Sequence, residues 1–126
     1  MKKFVSAVLS MVLLAGCGST AEEAGYTQTD AEEAAAMMEE AEDFIILDVR
    51  REDEFAEKHI RGAVNIPNET IGTEDIEALP DKEQTIFVYC RSGNRSKQAS
   101  AKLAELGYTN IIEFGGINSW NGETEP

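Results

Sequence analysis

The sequence predicts an α/β domain: a mostly parallel five-stranded sheet with helices on both faces. Three observations carry this. Residues 44–47 and 85–89 are short, continuous apolar runs, the pattern of strands covered on both sides. Segments of helical periodicity alternate with such runs, which implies a parallel sheet flanked by helices. The chain has 126 residues, enough for one domain with a modest core, and shows no internal repeat or second unit.

Taken in order, residues 1–16 read as a leader. Lys2 and Lys3 form a basic start, and residues 4–15 are almost wholly apolar but too few to span a bilayer. The run ends in Leu14-Ala15-Gly16-Cys17, which resembles the bacterial lipoprotein box. That resemblance implies cleavage before Cys17, acylation of Cys17, and a protein held outside the cytoplasm on a bacterial membrane by its lipid alone. Residues 18–25 are small and acidic and read as a tether, so that 17–25 precedes a folded domain over 26–126.

Thr29 with Glu32 predicts a capping box, followed by a helix with Ala31, Ala34, Ala35 and Met38 on one face. Glu32, Glu33, Glu39 and Glu40 read as its solvated side. After the strand at 44–47 come a helix over 51–58, a strand at 63–66 stopped by Pro67, and a helix over 73–79 closed by Pro80. The strand at 85–89 runs straight into Cys90. A helix over 96–106 places Ala99, Leu103 and Leu106 on one face, with Gly107 at its C′ position. Residues 110–114 form the last strand, followed by Gly115-Gly116 and by Trp120, which is expected to pack under the final loop.

The formal charge is −13. Loss of Lys2 and Lys3 with the leader leaves 9 basic against 24 acidic residues, a net −15. Such a surface repels nucleic acid and anionic headgroups, and an anionic ligand needs its own patch of positive charge. Residues 85–104 supply one: Arg91, Arg95, Lys97 and Lys102, without a single acid. With Cys17 acylated, Cys90 is the only remaining thiol, and no internal disulfide can form.

Cys90 leaves a buried strand and is followed by Arg91-Ser92-Gly93-Asn94-Arg95-Ser96 and a helix. Ligands of open parallel sheets bind beyond the carboxyl ends of the strands. Gly93 permits a tight turn that aims successive N–H groups inward, and the helix start adds a positive dipole end. Both favour thiolate over thiol, the condition for a cysteine nucleophile near neutral pH.

The run Cys90-Arg91-Ser92-Gly93-Asn94-Arg95 resembles the active-site loop of rhodaneses. Three further segments are similar to that family in the same order: Leu47-Asp48-Val49-Arg50, His59-Ile60-Arg61-Gly62-Ala63-Val64-Asn65-Ile66-Pro67, and Gly115-Gly116-Ile117-Asn118-Ser119-Trp120. The resemblance covers about 26–120 and implies a rhodanese-like fold and a single-domain sulfurtransferase, expected to act as a monomer. It implies Cys90 as the persulfide-bearing nucleophile. Arg91, Ser92, Gly93, Asn94, Arg95 and the Ser96 amide would cradle the charged sulfur and the donor's anionic group. Asp48 is expected to brace the loop through one of its arginines, and Arg50 to pair with Glu54. His59, the only histidine, is expected to be structural. Four residues separate Cys90 from Arg95. Phosphatases of the cell-cycle type have five, and the smaller ring suits one sulfur atom better than a phosphate. The expected cycle takes sulfane sulfur from a small anionic donor such as thiosulfate, or from a persulfide, and passes it to a thiol or cyanide, with no metal or organic cofactor. Two alternatives stay open: a non-catalytic sulfide- or redox-sensing or sulfur-carrier module, and, less favoured, a phosphatase or arsenate reductase.

Overall fold

The computed structural model describes residues 21–23 and 25–126; the leader, Cys17 and the first part of the tether lie outside the described residues. Along the chain run β1 (Ala21–Glu23), β2 (Tyr26–Gln28), α1 (Ala31–Glu40), β3 (Phe44–Asp48), α2 (Glu52–Glu57), β4 (His59–Ile60) and β5 (Val64–Asn65). A 3-10 turn (Asn68–Thr70) precedes β6 (Thr85–Cys90), α3 (Asn94–Glu105) and β7 (Asn110–Gly116). A second 3-10 turn (Ile117–Ser119) leads to β8 (Thr124–Glu125).

The main sheet has the order β1-β2-β7-β6-β3-β5. The five strands β2, β7, β6, β3 and β5 are parallel, and β1 adds an antiparallel edge. β6 lies near the middle, which explains its unbroken apolar run. Ile86, Val88 and Cys90 join one core with Leu47, Ala99, Leu103 and Ile111, while Phe87 and Tyr89 join the opposite core with Ala31, Ala34, Ile60 and Phe114. Alternate side chains thus face α3 and α1 in turn, and both faces are dry. β4 and β8 form a separate two-stranded antiparallel sheet.

Several local expectations are corrected. Residues 21–23 of the expected tether pair with β2, because the extended backbone of β2 offers an edge for hydrogen bonding. The cap of α1 is Asp30 rather than Thr29, its Oδ1 accepting the Glu33 N–H at 2.8 Å. No helix forms over 73–79. A seven-residue helix has little stability of its own, and the segment is pinned instead by buried Ile71 and Leu79 and by Tyr108, whose hydroxyl donates to the Leu79 carbonyl at 2.5 Å. α3 begins at Asn94, two residues earlier than expected, so Asn94 and Arg95 stand on its first turn. Gly107 does close it, at φ 103°.

Candidate active site

Cys90 ends β6 and is 1% exposed. The chain turns at once through Arg91, Ser92 and Gly93 into α3. Gly93 takes φ 121°, a conformation that side-chain-bearing residues rarely adopt, and its N–H donates to Cys90 Sγ at 3.0 Å. The Ser96 hydroxyl lies 3.5 Å from the same sulfur. Burial pushes the thiol pKa up, but the Ser96 hydroxyl and the amides of Ser96, Gly93 and Ser92 outweigh it, and the net direction is down. The turn therefore forms a small ring of donors around one sulfur atom.

A second close approach holds the ring in place. Between β6 and β7 the register shifts from Val88 opposite Glu113 to Cys90 opposite Gly116, so β7 carries an extra residue there. Gly116 thereby lies under the turn, where a Cβ would sit 1.9 Å from the Arg91 carbonyl oxygen. That same carbonyl accepts the Asn118 N–H at 3.2 Å.

The expected loop residues separate into two groups. Gly93 and Ser96 are buried beside the sulfur, whereas Arg91, Ser92 and Asn94 have exposed side chains. Arg91 lines a cleft of about 400 Å³ with Arg50, Glu54, Glu57, Lys58, Ile117, Asn118 and Trp120. Arg95 does not bond the sulfur: its guanidinium meets Glu54 at 2.7 and 3.3 Å, near enough to Cys90 to feel its charge. The Arg95 pair, aided by the Arg51 N–H, outweighs burial and holds the Glu54 carboxyl down at about 2.

The roles expected of Asp48 and Arg50 are corrected. Glu54 is taken by Arg95, so Arg50 pairs instead with Asp48, Nη2 to Oδ2 at 2.8 Å, and also donates to the Lys58 carbonyl at 2.6 Å. Burial works against the Arg50 charge, but Asp48 outweighs it and the pKa rises. Asp48 touches no loop arginine. It accepts the Tyr89 hydroxyl at 2.6 Å, and Tyr89 accepts the Ile60 N–H at 3.0 Å. Burial and the Asp48 carboxylate push the Tyr89 pKa up, keeping the phenol protonated as a donor. This network immobilises the residue immediately before Cys90. His59 stacks on Phe55 at 3.7 Å between ring centroids and bonds the Phe55 carbonyl through Nδ1. Trp120 packs on Phe114, centroids 5.8 Å apart.

Two residues escape a reading of the sequence, Tyr89 and Glu113, and Glu54 takes a partner other than the expected one. Glu113 is 1% exposed, and its Oε2 lies 2.5 Å from Ser96 Oγ. The sequence does carry one signal for it, a lone acid inside the apolar run Ile111-Ile112-Glu113-Phe114. Among the described residues, no group of three or more His, Cys, Asp and Glu side chains is placed to hold a metal ion.

Comparison with known proteins follows the same lines. Residues 30–123 match the family described as rhodanese-like domain. The thiosulfate sulfurtransferase PspE of Escherichia coli is 39% identical over 71 residues, spanning 56% of this chain and 68% of that protein. A protein of Allochromatium vinosum named sulfurtransferase is 33% identical over 94 residues, 74% of this chain and 86% of its own. A solved structure described as rhodanese with anions, from E. coli, superposes with a TM-score of 0.59 at 34% identity, covering 64% of this chain and 95% of the other. The family match runs from the first helix past the last loop, and these relatives share the chain's domain over most of their own length; the protein belongs to the rhodanese-like family.

Proposed function

We propose that the protein is a sulfurtransferase that carries sulfane sulfur as a persulfide on Cys90. The observation that carries this is the donor ring: a buried sulfur with the Gly93 amide at 3.0 Å and a thiol pKa lowered by surrounding donors. A ring of that size accommodates one extra sulfur and its negative charge. In the first half-reaction the Cys90 thiolate attacks the outer sulfur of thiosulfate. A new S–S bond forms, the old one breaks, and sulfite leaves with the electron pair, so charge and oxidation state balance. An acceptor thiolate or cyanide then attacks the outer sulfur of the persulfide, and Cys90 leaves as thiolate. Arg91 at the mouth of the cleft is suited to an anionic donor. The E. coli relative PspE is a thiosulfate sulfurtransferase and the solved E. coli rhodanese is one with anions, which supports this choice.

The test is direct. The purified chain, incubated with thiosulfate and weighed intact, gains the mass of one sulfur atom, and Cys90→Ser abolishes the gain. A mass unchanged in the parent, or a gain that survives the substitution, overturns the proposal. We further infer export and lipid attachment through Cys17, on the strength of the leader and the box Leu14-Ala15-Gly16-Cys17.

A further inference from the structure

Cys90 Sγ, Ser96 Oγ and Glu113 Oε2 form a continuous buried chain. Their residues are 1%, 0% and 1% exposed, and the separations are 3.5 and 2.5 Å. Glu113 Oε2 also accepts the Gly115 N–H at 2.9 Å. The Ser96 hydroxyl has one proton to give. The Gly93 and Gly115 carbonyls lie within its reach at 3.0 and 3.3 Å, but Glu113 is the nearest acceptor.

One proton cannot serve both ends of this chain. With Cys90 as thiolate, the Ser96 O–H points to sulfur. Two oxygens can then stay 2.5 Å apart only if Glu113 brings the proton between them. With Glu113 as carboxylate, Ser96 donates to it, and Oγ is free to accept the thiol S–H. The two arrangements differ by the passage of a single proton along the chain.

Other charged groups around the pair are already engaged or point outward. Arg95 on α3 feels the Cys90 charge but gives its hydrogen bonds to Glu54 of α2, and the Arg91 side chain is exposed. On the opposite face of β6, Tyr89 bonds Asp48 of β3, which pairs with Arg50.

We propose that Glu113 is a positioning residue that takes up the Cys90 proton through Ser96 and stores it while sulfur carries the negative charge. This rests on the reading of Cys90 as the nucleophile. The Cys90 S–H bond breaks and leaves its electron pair on sulfur. That proton bonds to Ser96 Oγ as the serine's own proton moves to Glu113 Oε2. When an acceptor thiolate later displaces Cys90 from the persulfide, the proton returns by the same route. The cycle then exchanges no Cys90 proton with water.

Two measurements on the purified full-length chain test this. First, proton release is recorded in weak buffer while thiosulfate converts Cys90 to persulfide, at a pH where thiolate absorbance shows Glu113→Gln to hold a protonated thiol. Protonation of sulfite is common to both proteins and cancels. Glu113→Gln should release one more proton per persulfide than the parent, and equal release overturns the proposal. Second, the protonation of the Glu113 carboxyl is read from its carbon chemical shift by NMR in the parent and in Cys90→Ala, at one pH where absorbance shows Cys90 of the parent as thiolate. The parent should show the protonated acid and Cys90→Ala the carboxylate. The same form in both overturns the proposal. The second measurement needs no sulfur donor and leaves Glu113 in place. It therefore decides the matter if persulfide fails to form, which would refute the sulfur-transfer reading separately, or if Glu113→Gln does not fold.

Discussion

The chemistry proposed for Cys90 depends on side chains it never touches as well as on those it does. Tyr89, adjacent in sequence but facing the other side of the sheet, fixes the strand end by donating to Asp48 and accepting from Ile60. Tyr89→Phe strands the buried Ile60 amide and takes the hydroxyl donor from Asp48 Oδ2, which keeps Arg50, and should cost about 1–3 kcal/mol in urea unfolding. Glu54 is a second remote support. Its carboxyl is held at about 2 in the fold against an ordinary value of 4.5, with Arg95 the largest cause. A depressed carboxyl pKa contributes stability that is complete above the unfolded value and lost as pH falls through the folded one. The stability difference between the parent and Glu54→Gln, about 1 kcal/mol for a partly exposed pair, should therefore be constant above about pH 5. It should shrink toward zero near pH 2. Urea midpoints measured across that range give the answer, and a difference that persists unchanged at the acid end refutes the assignment.

At the scale of elements, the turn between β6 and α3 works because two glycines serve different needs. Gly93 must adopt φ 121°, while the space around an added Cβ is ordinary, with Gly115 Cα at 3.5 Å. Gly93→Ala should therefore cost only the backbone term, about 1–2 kcal/mol. At Gly116 the problem is a collision, because a Cβ there would overlap the Arg91 carbonyl. Gly116→Ala must displace the turn itself and should cost at least about 1–3 kcal/mol, the usual range for overpacking. It should also slow persulfide formation by more than Gly93→Ala does. Paired unfolding curves and loading rates separate the two, and equal effects on loading would show that Gly116 does not position the ring. Glu113 faces Ser96 by ordinary alternation with Ile111, and the extra residue just beyond it brings Gly116 under Arg91.

For the whole molecule, the strongly acidic balance and the single basic turn divide the work. The surface discourages nucleic acid and anionic lipid, and the loop retains local positive charge for a small anion. In our proposal, attachment to a membrane then falls to the lipid on Cys17 alone. Cys17→Ala should move the protein from the membrane fraction to the soluble fraction of its host without altering persulfide formation on the purified chain. Retention in the membrane fraction would refute lipid attachment through Cys17. Among the described residues, no helix is long and apolar enough to cross a membrane.

The parallel sheet, the order of its principal strands and helices, and the cysteine turn were all legible in the sequence, because each rests on local pattern. Continuous apolar runs mark doubly covered strands, and Gly93 after Cys90 marks a turn into a helix. Contacts between distant segments were not legible. Spacing on one helix suggested Arg50 with Glu54, yet packing gave Glu54 to Arg95 and Arg50 to Asp48. The expected helix over 73–79 lost to anchoring of its two ends in the core. By itself the sequence determined which strand ends in the cysteine turn, and so the sulfur atom to which we assign the chemistry. Only the tertiary structure decided which carboxyl faces that atom, because Glu113 meets Ser96 through the pairing of β7 with β6 and the packing of α3 against both.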